Sequence, residues 1–394
     1  MKRRTFLWLA ALTLGLVAFA LWGAPYFFQP PIVTGSGATL GSQTERARVM
    51  EILSETPIQI NGETQISQRL RVEVLGGQYA GLPMELDYGK TRVTPPDQLL
   101  RPGDEIFITL GKNTDGVLEA FYVDFVRQRA LLILLGVFVA AILLMAGWKG
   151  FRALLALIFS LAVVVGYIIP HILTGEDPVT VSVIGSAILL GVSLYLTYGW
   201  MLKTHASVLS MILVLLLTGT LASVFMQIAR LNGFGSEEAL FLQQFSQVKI
   251  NLRGLLLGGI IIGALGVLDD LVTTQSALVF ELHHTDERLG FRALFGKAMR
   301  VGQDHVAATV NTLVLAYAGA SLPLLLLFTL GGGNYDFLLN VEMISEEIVR
   351  TLVGSLGLMA AVPLTTAIAI LLALYTPTGW RALLGPAGEA AHDH

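Results

Sequence analysis

The sequence predicts a polytopic α-helical membrane protein of about eight spans, with a small extracytoplasmic all-β barrel domain of OB or SH3-like size. Three observations carry that expectation. Of all residues, 54% are hydrophobic and only 14% charged; a water-soluble chain could not hide so much apolar surface, so lipid is the solvent for part of it. Apolar runs of about 20 residues, enough to cross the hydrocarbon layer, recur along the chain. Residues 24–128 differ: short runs rich in Val, Ile, Phe and Tyr alternate with Gly, Pro and Asp, the pattern of strands and turns.

The candidate spans are 6–23, 129–147, 152–172, 179–198, 205–228, 254–276, 306–329 and 351–376. The last contains Pro363, which predicts a tilt or a kink. With the N-terminus in the cytoplasm, the inner pieces hold Lys2, Arg3, Arg4, Lys149, Arg152, Lys203, Arg288, Arg292, Lys297, Arg300 and Arg381, and the outer loops only Arg230, Lys249, Arg253 and Arg350. That bias puts both termini inside. All five tryptophans fall at or near span ends, where amphipathic rings settle. The first span begins "MKRR" and ends near "AFA", as a signal peptide would. Its apolar core exceeds the usual signal core of about 7–15 residues, so it reads as an uncleaved anchor.

Between these spans, "RARVMEIL", "QRLRVEVLGG", "DEIFITLG" and "GVLEAFYVDFV" are the strands of the expected barrel. Residues 229–253 are too polar to span; Ala239, Leu240, Leu242, Phe245 and Val248 suggest an amphipathic interfacial helix, and 285–303 read the same way on the inner side. "GGGNYD" at 331–336 reads as an outer loop. The expected organisation is an anchor helix at 1–23, a β-barrel domain at 24–128, a seven-span domain at 129–381 and a cytoplasmic polar tail at 382–394. The link from Phe121 to Arg129 has no Gly/Ser run, which predicts that the barrel sits close above the bundle and acts on its outer opening.

Composition also excludes. There are no cysteines, hence no disulfide, zinc thiolate, iron–sulfur cluster or cysteine nucleophile. Net charge is −4, and no basic stretch is interleaved with aromatics, so nucleic acid is not an expected partner. No Walker A, G-x-S-x-G or dinucleotide motif is present. His283, His284, Asp286, Asp304 and His305 match no zinc spacing and read as a solvated collar. Neither an enzyme activity nor a cofactor or metal is expected.

One stretch stands out, "GALGVLDDLVTTQSALVFELHH" at 263–284. Asp269 and Asp270 lie in apolar surroundings, where an ionised carboxylate costs several kcal/mol and acids face the bundle interior or water. Adjacent helical residues point about 100° apart, so Asp269 shares a face with Thr273 and Ser276, and Asp270 one with Thr274 and Glu281. Gly258, Gly259, Gly263 and Gly266 allow a neighbouring helix to approach. Asn311 and Thr312 of the seventh span lie at about the depth of Asp270, judged from a rise of about 1.5 Å per residue, and Thr365 and Thr366 follow Pro363 in the last. Together these suggest a polar layer around a proton or cation relay, with Asp270 the main group, Asp269 secondary, and Pro323 and Pro363 as hinges. The plainer readings stand beside it: acids in an inner vestibule, Asn311 and Thr312 as interhelical hydrogen bonds, and threonines bonded to their own helix.

"VLDDLVTTQSALVFEL", "GQDHVAATVNTLVLAYAGASLPLLLLF" and "EEIVRTLVGSLGLMAAVPLTTAIA" resemble the YibE/F family of bacterial membrane proteins over nearly the whole chain. That implies a bacterial cytoplasmic membrane and little about activity. A weaker resemblance is to the SecD and SecF translocon subunits and RND permeases: Gly266–Asp270 matches their Gly-x-x-x-Asp helix, and "NTLVLAYAG" the helix after it. This chain departs from them in having two extra spans, a smaller outer domain, no second copy of the unit, and Val272 where an Asn would stand. The expectation is a proton- or cation-coupled transporter or motor; the alternative is a non-transporting assembly or export accessory whose β-domain binds a protein partner.

Overall fold

The computed structural model describes residues 44–386 apart from 61, 91–92, 96–97, 113–117, 247, 331–334, 378–379 and 381–383. The expected first span, 6–23, lies outside the described residues, as does nearly all of the polar tail. The chain divides into two compact units, 36–145 and a helical one from Ala146 onward.

The first unit is an antiparallel five-stranded sheet: β1 (Thr44–Ile60), β2 (Glu63–Val74), β3 (Pro83–Tyr88), β4 (Glu105–Lys112) and β5 (Leu118–Phe125), in the order β3-β2-β1-β4-β5. Alternation decides which face is buried. Met84, Leu86 and Tyr88 of β3 point inward with Leu70, Val72 and Val74 of β2, Ala47 and Val49 of β1, and Ile106 and Ile108 of β4. The buried Gln68 ties the 89–104 loop to this core: its amide donates to the Leu100 carbonyl (3.1 Å) and to Glu55 Oε1 (2.9 Å), and its oxygen accepts from the Leu100 N–H (2.8 Å).

The expected barrel is corrected to an open sheet. Among the described residues, β3 pairs only with β2 and β5 only with β4. Where a barrel would join those edges by backbone hydrogen bonds, aromatic side chains meet instead, the Tyr88 and Tyr122 rings packing edge-on at 4.7 Å. β1 also outruns its neighbour. Only Thr44–Arg48 pair with β4, so from Glu51 to Ile60 it is one arm of a two-stranded hairpin with β2. Two register shifts, at Val49/Glu51 and Ile52/Ser54, mark where the hairpin leaves the sheet.

Val126 and Arg127 alone separate β5 from α1 (Gln128–Val163). Arg46 Nη2 donates to Gln128 Oε1 at 2.7 Å, holding the start of the helix to β1. Gly147, at φ 52° and ψ −128°, interrupts α1 between the two spans the sequence predicts there; only glycine takes that conformation without strain. A π turn at Val164–Ile168 then leads into α2 (Ile169–Leu173). Pro170 accounts for it, since its ring clashes with the carbonyl four residues back.

α3 (Pro178–Tyr198), α4 (Leu202–Ile228), α6 (Leu252–Thr285) and α10 (Glu342–Tyr375) follow. With the continuous 128–173 segment, which covers two of the expected spans, these make five helices long and apolar enough to cross a membrane among the described residues; of the expected spans that fall there, 306–329 is the one with no such helix. The difference at the seventh span has a clear cause. The segment read as an interfacial helix and the segment read as a span are one helix, α7 (Phe291–Ala320), broken at Ser321 from α8 (Leu322–Leu330). Arg292, Lys297, Arg300, Asp304 and Asn311 dilute α7, and Pro323 forces the break, so no single long apolar helix results. By contrast α10 runs through Pro363 uninterrupted. The interfacial helix α5 is shorter than expected, Glu237–Phe245, with Val248 beyond it. Tyr335 and Asp336, read as loop, begin the short helix α9 (Tyr335–Asn340).

Within the helical unit α6 is central, packed on α3, α4, α7 and α10. Glycines set the close approaches. A Cβ at Gly258 would lie 2.3 Å from Ser182 Oγ of α3, one at Gly357 of α10 2.4 Å from Thr218 Oγ1 of α4, and one at Gly302 of α7 2.4 Å from Val362 of α10. Many buried hydroxyls are satisfied within their own helix, Ser210 on Ala206 and Thr218 on Val214 among them.

Candidate functional site

The two acids sit midway along α6 and face different surroundings. Asp270 is exposed and Asp269 half-buried. The Oδ1 atom of Asp269 is buried and has no hydrogen-bond partner. Nearby, the buried Thr273 hydroxyl lies 2.8 Å from the Asp269 carbonyl, 3.2 Å from the Asp270 carbonyl and 3.4 Å from the Tyr198 hydroxyl at the end of α3. A threonine hydroxyl carries one hydrogen, so it serves one carbonyl at a time while its oxygen can accept from Tyr198.

One turn on, Gln275 is 2% exposed and binds three helices together. Its Nε2 donates to Thr366 Oγ1 of α10 at 2.8 Å and to the Ala298 carbonyl of α7 at 3.1 Å. Ser276 Oγ donates to the Lys203 carbonyl at the start of α4 (2.8 Å). Thr365 and Thr366 are wholly buried; Thr365 Oγ1 has no partner. The structure thus brings Thr273, Gln275 and Thr366 to the α6 core, and Asp269 to its margin. Thr274 is exposed on α6, and Asn311 and Thr312 are exposed on α7. Thr312 donates to the Ala308 carbonyl of its own helix (2.8 Å), and no hydrogen bond among the described residues joins Asn311 or Thr312 to α6. Pro323 stands two residues past the α7–α8 break, while Pro363 lies within unbroken helix.

Three groups escaped sequence reading. Gln275 stood in the quoted stretch, but a lone glutamine gives no signal. Glu342 and Glu346, at the start of α10, hold the α4–α5 connection. Glu342 Oε1 accepts from the N–H groups of Asn232 (2.6 Å) and Gly233 (3.1 Å), and Glu346 Oε1 from that of Gly235 (3.2 Å). The helix register that buries Glu346 to 7% exposure was the available clue. Last, His205 is gripped from two sides, by the Tyr195 hydroxyl at Nδ1 (2.6 Å) and the Leu384 carbonyl at Nε2 (3.1 Å). A carbonyl only accepts, so Nε2 carries the proton and Nδ1 accepts from Tyr195.

Long apolar helices around an acid-bearing central helix, with an antiparallel sheet unit attached, define a multi-pass membrane protein. The family model for YibE/F-like protein matches residues 134–374, more than half of the chain, and the chain belongs to that family. No curated protein and no solved structure matches it. The resemblance of residues 266–270 and 311–319 to the SecD, SecF and RND unit is not shown by these comparisons.

Proposed function

We propose that this protein is a proton- or cation-coupled transporter or motor of a bacterial cytoplasmic membrane, with both termini in the cytoplasm and Asp269 and Asp270 as the relay. One observation carries this: the half-buried Asp269 has an oxygen without a partner, next to an exposed acid, in the middle of the central helix of the bundle. Buried polar atoms are nearly always paired, and an exception in an apolar bundle points to use. The placement favours a division of labour in which Asp270 exchanges a proton or cation with the outside of the helix and Asp269 holds it within. Thr273 and Tyr198 orient the buried side. Gain and loss of charge there changes how α6 is solvated against α3, which couples occupancy to helix position. Pro323 supplies the hinge, beside the break at Ser321, and no enzymatic step is part of this reading.

Proton flux into proteoliposomes under an imposed pH gradient, read by a trapped dye, tests it. Asp269→Asn and Asp270→Asn are each expected to lower flux at least tenfold with normal folding in detergent. Wild-type flux no greater than that of empty liposomes, or unchanged flux in both variants, sinks the relay.

A second reading has its own observation. The outer edge of β1 from Glu51 to Ile60 pairs with no other strand among the described residues, and a free edge is a template for an added strand. On that reading the protein is an assembly or export accessory, and its β-unit binds an extended segment of a partner. Deleting residues 51–67 would then abolish function while Ala at both acids is tolerated.

A further inference from the structure

Away from the acids, α6, α7 and α10 enclose a cavity of about 10 Å³, bounded by Gly263 and Val267 of α6, Leu313 and Tyr317 of α7, and Arg350 and Gly354 of α10. That is the size of one water, which needs two to four polar partners to stay. Two are at hand. The Tyr317 hydroxyl lies 3.7 Å from where a Cβ at Gly263 would stand, so the missing side chain there leaves the space open. Arg350 donates through Nη1 to Glu347 Oε1 (2.7 Å), while its Nε is buried without a hydrogen-bond partner. A buried guanidinium N–H left unpaired is costly, and a water in this cavity would relieve it. Beyond Tyr317 lies a second, larger cleft of about 260 Å³ between α7–α8 and α10; Tyr317 and Glu347 both line it. Tyr317 therefore lines both the cleft and the cavity, and the Glu347–Arg350 ion pair has one member at each. Gly263, Val267 and Asp270 share one face of α6, and Asp270 lies about 10 Å along it from Gly263 at 1.5 Å per residue.

We propose that Tyr317 and Arg350 hold a water in this cavity and that it is the access point through which Asp270 communicates with the Glu347 end of the bundle. The inference rests on the relay reading, and it makes Tyr317 and Arg350 positioning residues for it. The route is single-file: one water fits, and Tyr317 controls its connection to the cleft.

The absence of cysteine makes the test direct. Silver ion is small enough to follow a single-file water path, and it reacts with a thiol by replacing the proton, which water carries off. Gly263→Cys, and Val267→Cys should the first variant fold poorly, are exposed to Ag⁺ in intact membranes; unreacted thiol is then counted with a maleimide after denaturation. Leu358→Cys, in fully buried core, is the dry control. The expected result is blocking at least tenfold faster than at Leu358→Cys, slowed severalfold by Tyr317→Phe. Reaction no faster than the dry control overturns the wet cavity, and a rate unaffected by Tyr317→Phe overturns the role of the hydroxyl. Fast silver reaction beside unchanged flux in Asp269→Asn and Asp270→Asn leaves this access site standing and removes only the relay. The reverse pattern removes the access site alone.

Discussion

Gln275 shows how much one side chain decides. It is the polar contact shared by α6, α7 and α10, and Gln275→Leu would leave the Thr366 hydroxyl and the Ala298 carbonyl to find other partners. Losing a buried partner costs about 1–3 kcal/mol, so the variant is expected to unfold at a lower temperature in detergent, whereas Thr274→Val, at an exposed position, should not. The acids teach the same lesson. Adjacency alone says that Asp269 and Asp270 point about 100° apart. It does not say which of them the bundle covers more, and the structure gives the half-buried place to Asp269, the one the sequence ranks second.

Among elements, the glycines of α6 and α7 separate into those that permit packing and those that do not. At Gly302 a Cβ would meet Val362 at 2.4 Å and the Gln275 amide at 2.9 Å, while at Gly259 it would meet nothing within 4 Å. Gly302→Ala is expected to destabilise by about 1–3 kcal/mol through overpacking. Gly259→Ala is expected to stabilise by up to about 1 kcal/mol, the helix-propensity difference; thermal unfolding of the two variants side by side checks both. In the sheet, Glu105 of β4 accepts a hydrogen bond from Arg48 of β1 (2.9 Å), which holds its carboxyl below the usual glutamate range, against a smaller opposing effect of burial. A lowered folded value means the pair contributes above the unfolded glutamate range and loses its contribution as pH falls through the folded value. Arg48→Ala should move the Glu105 carboxyl titration, followed by NMR, back upward. The effect on stability is small because both side chains are exposed.

For the whole molecule, the run of helices predicts which connections share a side. If α4 and α6 each cross the membrane once, Lys203, at the start of α4, lies on the face opposite Lys249, before α6, and Arg288 is back on the first face. Single cysteines at 203 and 288 are expected to label with an impermeant maleimide from one side and a cysteine at 249 from the other; labelling of all three from one side would overturn the crossing assignment. The short Val126–Arg127 connection motivates a second test, a ten-residue Gly/Ser insertion after Gln128. Loss of function with normal membrane insertion is expected if the sheet unit acts mechanically on α1. Full function would leave the sheet as a partner-binding module.

Composition and period determined the membrane class, the placement of most long helices, the β character of the first unit and the acids as the feature to explain. These are local properties: an apolar run of about 20 residues or an alternation of two reports its own solvent. The tertiary structure decided the rest. Closure of the sheet depends on whether two distant edges meet as backbone or as side chains, and Tyr88 and Tyr122 made it side chains. The seventh span failed as a single apolar helix through Pro323 and the polar residues of α7 acting together. Gln275, Glu346 and the Tyr317–Arg350 cavity exist only because helices far apart in sequence bring their faces together. Burial of one side chain is set by its neighbours in space, which no window along the chain contains.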